Sequence, residues 1–226
     1  MGIGGSLGKA LAPQVQRMAP ELTTNFVREA LSRAIDGVGP FPGAAHAADK
    51  QLQEQRGDVD SAIHEVIENH VRYAGAQGFA TNIGGLVTAA VTIPANIAGL
   101  AMLQARMVAG IAHLRGYALD DPRVKNAVLA CMLGEDVVTS LVRKKKLPAP
   151  PMAIATAPTH DPHLDQLIAA EVTSELLTKV AGKRVATTVG RRIPVVGGLF
   201  GAGADGFTTW KIGRYADREL LLRPRR

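Results

Sequence analysis

The sequence predicts an all-α protein, a helical bundle with a central glycine-rich apolar helical hairpin. Hydrophobic residues make up 46% of the chain, but aromatic residues only 4%. A core poor in rings and rich in glycine, of which the chain has 24, is typical of closely packed helices. No run of residues alternates strictly between apolar and polar side chains beside a turn signal, so no strand is predicted.

The first third of the chain predicts three helices. Pro20 suits a first helical turn, where its missing N–H is not needed, and this helix ends near Gly37. Residues 39–43, Gly-Pro-Phe-Pro-Gly, form a loop, and 44–55 form a short polar helix. Residues 58–74 are amphipathic, with apolar side chains on one face.

An uncharged stretch of 33 residues, Tyr73 to Ala105, follows. It contains Gly84 and Gly85, and Pro94 interrupts it. Because the residue before a proline is pushed away from helical geometry, we predict two helices that break at Pro94. The second helix begins there and ends at Gly116.

Two Asp-Pro pairs predict helix starts in the second half, since aspartate caps a helix and proline suits its first turn. They are 121–122 and 161–162. Cys131 lies on the apolar face of the helix that begins at 121–122, which indicates a core thiol rather than a nucleophile. Leu147 to Thr159 contains four prolines and no charge, and is predicted to be an exposed, extended loop.

A glycine-rich helix is predicted after Pro194, and small residues four apart on it leave a groove for another helix. We expect this helix to pack on the helix that begins at Pro94. The glycines and proline of both segments are the predicted apolar surface for lipid or a protein partner: Gly84, Gly85, Pro94, Gly197, Gly198 and Gly201.

The uncharged stretch is long enough to span a membrane. Pro94 divides it, however, and its amide side chains would need partners in hydrocarbon. A hairpin buried in a soluble or peripheral protein is therefore preferred over integral insertion.

The net charge is +6, with basic clusters at 143–146, at 183–184 with 191–192, and at 223–226. These clusters suit anionic lipid headgroups. Nucleic-acid binding is disfavoured, because no aromatic residue interleaves the clusters. A single cysteine and the lack of a signal peptide predict a cytoplasmic protein, peripheral on the inner face of the cell membrane.

The sequence contains two candidate sites. One is a metal site, and the other is a buried polar contact between two helices, which we call an interhelical pin. His64 and Glu68 are four apart and share a helical face, but His70 points about 120° away from His64, so no metal site is predicted. Asp205 is the only charged residue between 193 and 210. A buried carboxylate needs a partner, and Arg106 and His113 share one face of the helix after Pro94. We predict an interhelical pin at Asp205.

Several short motifs occur in an order that resembles the EcsC family. They are 78–80 with 84–85, 93–96 with 103–107, 112–117 with 120–123, and 193–198 with 203–205. The resemblance covers roughly 58–135 and 170–220, and not the first 50 residues or 147–159. It implies a largely bacterial, all-helical and membrane-associated protein of undefined biochemistry, and supplies no catalytic residues.

We therefore expect a flexible terminus at 1–19 and one EcsC-like helical domain at 20–226, with the proline-rich loop inside it. The predicted function is a membrane-associated or lipid-binding module. The alternative is a soluble adaptor that self-associates as a homo-oligomer. No nucleophile is paired with a base, so no catalytic residue and no cofactor are predicted.

Overall fold

The computed structural model describes residues 20–39, 41–75, 95–190 and 196–223. Within these ranges the chain is almost wholly helical, as predicted. The helices are α1 (Pro20–Asp36), α2 (Ala44–Glu54), α3 (Val59–Gly75), α4 (Ala95–Leu114), α5 (Pro122–Leu133), α6 (Glu135–Arg143), α7 (Pro151–Ala155), α8 (Pro162–Gly190) and α9 (Val196–Glu219).

Helix α4 is the centre of the bundle, since α1, α2, α3, α5 and α9 all pack on it. Met107, Val108 and Ile111 are fully buried. Gly110 lets two neighbours approach closely: a Cβ there would lie 3.5 Å from the Cβ of Ala48 and 3.7 Å from Cγ1 of Val66. The helix predicted to begin at Pro94 is thus the core element of the fold.

Aspartate caps begin three helices, two of them at the Asp-Pro pairs that the sequence predicted. The Asp121 carboxylate accepts a hydrogen bond from the backbone N–H of Arg123 at 2.8 Å, and Asp161 accepts one from His163 at 2.9 Å. Asp58 accepts from the N–H of Ser61 at 3.1 Å. Each bond satisfies a donor that the first helical turn leaves unpaired.

The loop predicted at 39–43 is partly wrong, because it contains the second strand of a short antiparallel pair. This pair joins β1 (Gly37–Val38) and β2 (Phe41–Pro42). Gly37 and Gly39 have positive φ angles of 94° and 56°, which allow the tight reversal. Strands of two residues are too short to show alternation, so the sequence pattern could not predict them.

The exposed loop predicted at 147–159 is also wrong. It contains helix α7, which packs on α5, and Leu147 and Ile154 are buried. Pro150 is extended and Pro151 lies in the first turn, so the prolines begin a helix instead of preventing one.

Helix α9 lies in the seam between α3 and α4. A Cβ at Gly206 would lie 3.6 Å from the Val71 carbonyl oxygen. A Cβ at Gly213 would lie 2.9 Å from Cγ1 of Ile67 and 3.1 Å from Sδ of Met107. The predicted contact between the two glycine-rich helices is confirmed, and α3 shares it.

The same contacts fix the directions of these helices. Going from Gly206 to Gly213 along α9, the contacts on α3 go back from Val71 to Ile67, so the two helices are antiparallel. Helices α3 and α4 are also antiparallel, since Asp60 pairs with Arg115 while Val66, later on α3, contacts Gly110, earlier on α4. The C-terminal end of α3 and the N-terminal ends of α4 and α9 therefore lie together.

Candidate functional site

This meeting of three helix ends is the candidate site, and we name it the apolar end. It comprises the described parts of 70–75, 95–106 and 196–210. Two weakly charged segments contribute residues to it. One is the uncharged stretch from Tyr73 to Ala105, and the other is 193–210, whose one charged residue is Asp205. Of the predicted apolar surface, Gly84, Gly85 and Pro94 lie outside the described residues. The other three residues lie in the part of α9 where the structure describes the helix but not the surroundings of its side chains: Gly197, Gly198 and Gly201.

Exposed aromatic rings lie at the apolar end. Tyr73 is 57% exposed, Phe207 61% and Trp210 43%. The Phe207 and Trp210 rings stack, with centroids 6.0 Å apart and planes 16° apart. At 1.5 Å per residue, the contacts of Gly206 with Val71 and of Gly213 with Ile67 place Tyr73 and Trp210 about 5–9 Å apart along the helices. Leu221 and Leu222, which are also exposed, follow the opposite end of α9.

Basic residues continue the aromatic face of α9 away from the apolar end. Lys211 and Arg214 follow Trp210 within about one turn, so they lie near its face. Lys211 pairs with Asp136 at 3.5 Å, and Arg214 pairs with Asp217 at 3.2 Å. The two cations are about half exposed, and the exposed pair of Lys211 with Asp136 contributes only about 0–1 kcal/mol. They are therefore free to contact another anion.

A half-buried arginine lies between α3 and α4. The contact of Val66 with Gly110 sets their antiparallel register, which one turn further places His70 opposite Arg106. Burial lowers the pKa of His70 to about 4, and the charge of Arg106 also lowers it. The imidazole is thus neutral at pH 7, and its Nδ1–H donates to the Val66 carbonyl at 2.7 Å.

The predicted partners of Asp205 have other neighbours. His113 bonds through Nε2 to the Asp49 carboxylate on α2, at 2.8 Å. Arg106 lies beside His70 and interacts with Tyr73. Asp205 is half-buried on α9, and its role as an interhelical pin stays a prediction.

The residues of the rejected metal site lie apart from other ligands. His64 is exposed on α3 and Glu68 is half-buried on the same helix. Within the described ranges, no group of three or more His, Cys, Asp or Glu residues could hold a metal ion.

A polar cluster around Asp165 was not found from the sequence. Its carboxylate accepts from Arg28 Nη2 and Asn126 Nδ2 at 2.7 Å each, and contacts His160 Nε2 at 2.8 Å. Burial raises the pKa of Asp165, but these hydrogen bonds and charges outweigh it and lower the pKa. The cluster ties α1, α5 and α8 together. Its members are too far apart in sequence for any pattern to connect them.

A second polar cluster holds the C-terminal segment. Arg115 pairs with Asp60 at 2.9 Å and with Asp217 at 2.6 Å. Its carbonyl accepts the backbone N–H of Arg223 at 2.8 Å, and the Arg223 guanidinium lies 5.6 Å from the centre of the Tyr117 ring. These contacts bind the end of α9 to the end of α4, and indicate a structural role.

No helix in the described part of the chain is long and apolar enough to cross a membrane. Residues 76–94, which form the first part of the uncharged stretch, lie outside that part.

Comparison with known proteins finds one family. A model of the EcsC protein family matches residues 5–224. This match is wider than the resemblance of the short motifs, since it includes 147–159 and most of the first 50 residues. No curated protein and no solved structure matches the chain. The match covers nearly the whole sequence, and the chain therefore belongs to the EcsC protein family.

Proposed function

We propose that this protein binds an anionic membrane surface peripherally, through the apolar end of its bundle. The observation that carries the proposal is the exposure of Tyr73, Phe207 and Trp210 where the uncharged segments meet. Tryptophan and tyrosine favour the membrane–water interface, since one part of each ring system is apolar and another forms hydrogen bonds. Moving an exposed large apolar side chain out of water contributes about 1.5–3 kcal/mol.

The charges near the aromatic rings suit the same surface. Arg72 is exposed beside Tyr73, and Lys211 and Arg214 follow Trp210. A basic residue near an anionic bilayer contributes about 1 kcal/mol. Long basic side chains reach headgroups while their stems stay against apolar groups. Aromatic and basic contributions together support reversible attachment, which either alone supports poorly.

Trp210 allows a direct test because it is the only tryptophan of the chain. We expect its fluorescence to shift to the blue when vesicles of phosphatidylglycerol and phosphatidylcholine are added. Brominated lipids should quench it, and salt should reverse the binding. Vesicles of phosphatidylcholine alone should bind much more weakly.

Two double variants separate the apolar end from exposed leucines elsewhere. Tyr73→Ser with Phe207→Ser should weaken vesicle binding at least tenfold, since each ring contributes more than 1 kcal/mol. Leu221→Ser with Leu222→Ser is the matched control at the opposite end of α9, and should leave binding unchanged. Equal losses in both variants, or no binding to anionic vesicles, would contradict the proposal.

A soluble, self-associating adaptor is the alternative function, because a second copy of the chain would also cover the exposed rings. Light scattering distinguishes the two. A stable oligomer that the Tyr73 and Phe207 variant dissociates, without vesicle binding by the wild type, would favour the adaptor.

A further inference from the structure

Arg106 differs from the other half-buried arginines that the structure describes. Arg115, for example, pairs with Asp217 at 2.6 Å. Arg123 pairs with Asp121 at 2.5 Å. Arg106 is half-buried between α3 and α4, yet it forms no ion pair with a carboxylate within the described residues.

The described residues around Arg106 do not compensate its charge. Burial lowers the pKa of Arg106, with the neighbouring Tyr73 opposing it in part. For Arg123, by contrast, the hydrogen bond to Asp121 raises the pKa. His70, opposite Arg106, is neutral at pH 7 and supplies no negative charge. A guanidinium remains charged at that pH, so a cation with no paired carboxylate among the described residues lies at the apolar end.

We propose that Arg106 binds the phosphate of an anionic phospholipid headgroup. The inference rests on the proposed membrane binding and names the residue that recognises the lipid. A planar guanidinium can hold two phosphate oxygens at once. A lipid also supplies an apolar part to lie against the exposed ring of Tyr73, which is 57% exposed, whereas inorganic phosphate supplies none.

The position of Arg106 favours a bound headgroup over simple attraction to the surface. Arg106 is half-buried about one helical turn below Tyr73 along α3 and α4, so a phosphate bound to it is partly enclosed by the helices. Arg72 is exposed on α3 and has no such enclosure. Variants of Arg106 and Arg72 therefore distinguish the binding of a phosphate at a half-buried arginine from general attraction to an anionic surface.

The experiment uses Arg106→Gln, Arg106→Lys and the control Arg72→Gln in the full chain, with phosphatidylglycerol vesicles. We expect Arg106→Gln to weaken binding about 30-fold, as for a lost charged hydrogen bond. Arg72→Gln removes the same charge and should weaken binding no more than about fivefold. Arg106→Lys keeps the charge but not the two-point contact, and should fall between them. The Arg106→Lys variant also tests the proposal if Arg106→Gln does not fold.

A second measurement reports on the site directly. Dihexanoyl phosphatidylglycerol, below its micelle-forming concentration, should shift the imidazole nitrogen signals of His70, because the anion neutralises the adjacent charge. Inorganic phosphate at the same concentration should not. Equal weakening by Arg106→Gln and Arg72→Gln, or an unmoved His70 signal, would overturn the inference while membrane binding stands. An equal shift with inorganic phosphate would show a free-anion site instead of a lipid site. Wild-type protein that binds no anionic vesicle would overturn the proposed function as well.

Discussion

Gln104 and Thr209 form a buried hydrogen bond between α4 and α9, with Nε2 of the amide 3.1 Å from Oγ1 of the hydroxyl. The residues are 2% and 0% exposed. The bond satisfies the side-chain amide of Gln104, which lies in the uncharged stretch. It also joins α4 to α9 at one fixed position along both helices. A buried polar pair of this kind specifies register, because a slipped arrangement leaves both groups unpaired.

Thr209→Val should lower the free energy of unfolding by about 1–3 kcal/mol, because it keeps the shape and leaves the Gln104 amide unpaired. Adding Gln104→Leu should recover much of that loss, since both polar groups are then gone. Urea denaturation of the two single variants and the double variant measures the coupling. Additive losses would show that the bond contributes no pairwise stability.

Gly213→Ala should destabilise the protein by about 1–3 kcal/mol, because its Cβ would lie 2.9 Å from Ile67 Cγ1 and force the helices apart. Gly206→Ala is the matched control on the same helix. There the nearest atom is at an ordinary 3.6 Å, and alanine favours the helix by about 0.5–1 kcal/mol. Thermal melting should thus move in opposite directions. The same direction for both would contradict the packing of α9.

His70 should make the protein less stable in acid. Burial lowers its folded-state pKa to about 4, whereas the unfolded chain titrates near 6.5. Between these values the unfolded state binds more protons, so stability is lost as the pH falls from 6.5 through 4, by up to about 3 kcal/mol. His70→Gln should flatten this part of the curve of unfolding free energy against pH. An unchanged curve would show that His70 is not buried as described.

Cys131 should be unreactive in the native protein. It is fully buried, and burial raises the pKa of its thiol well above the usual value. Labelling by a disulfide reagent should therefore follow the opening of the α5 core, and should accelerate with urea in parallel with unfolding. Rapid labelling of folded protein would contradict the buried position.

Sequence patterns predicted what depends on neighbouring residues. The Asp-Pro caps at 121–122 and 161–162, the helix after Pro94 and the core position of Cys131 are local features, and all were confirmed. The short helix at Pro151 was not predicted. Proline is common both in extended segments and in the first turn of helices, and the sequence pattern does not distinguish the two.

Contacts between distant residues could not be predicted. Periodicity shows which face of a helix is buried, but not which helix covers it. His113 bonds to Asp49, 64 residues earlier, and Arg28 bonds to Asp165, 137 residues later. The exposure of the Phe207 and Trp210 rings was not predicted either, because a sequence pattern does not show which side chains the neighbouring helices leave uncovered.

The position of α9 has a consequence for biosynthesis. Helix α9 fills the seam between α3 and α4, which are synthesised much earlier, and Gly213 contacts Ile67 and Met107 there. Until α9 has been synthesised and has left the ribosome, α4 lacks one of the helices that cover it. Closure of the seam must then wait for α9, and a nascent chain held before that point presents the seam to chaperones.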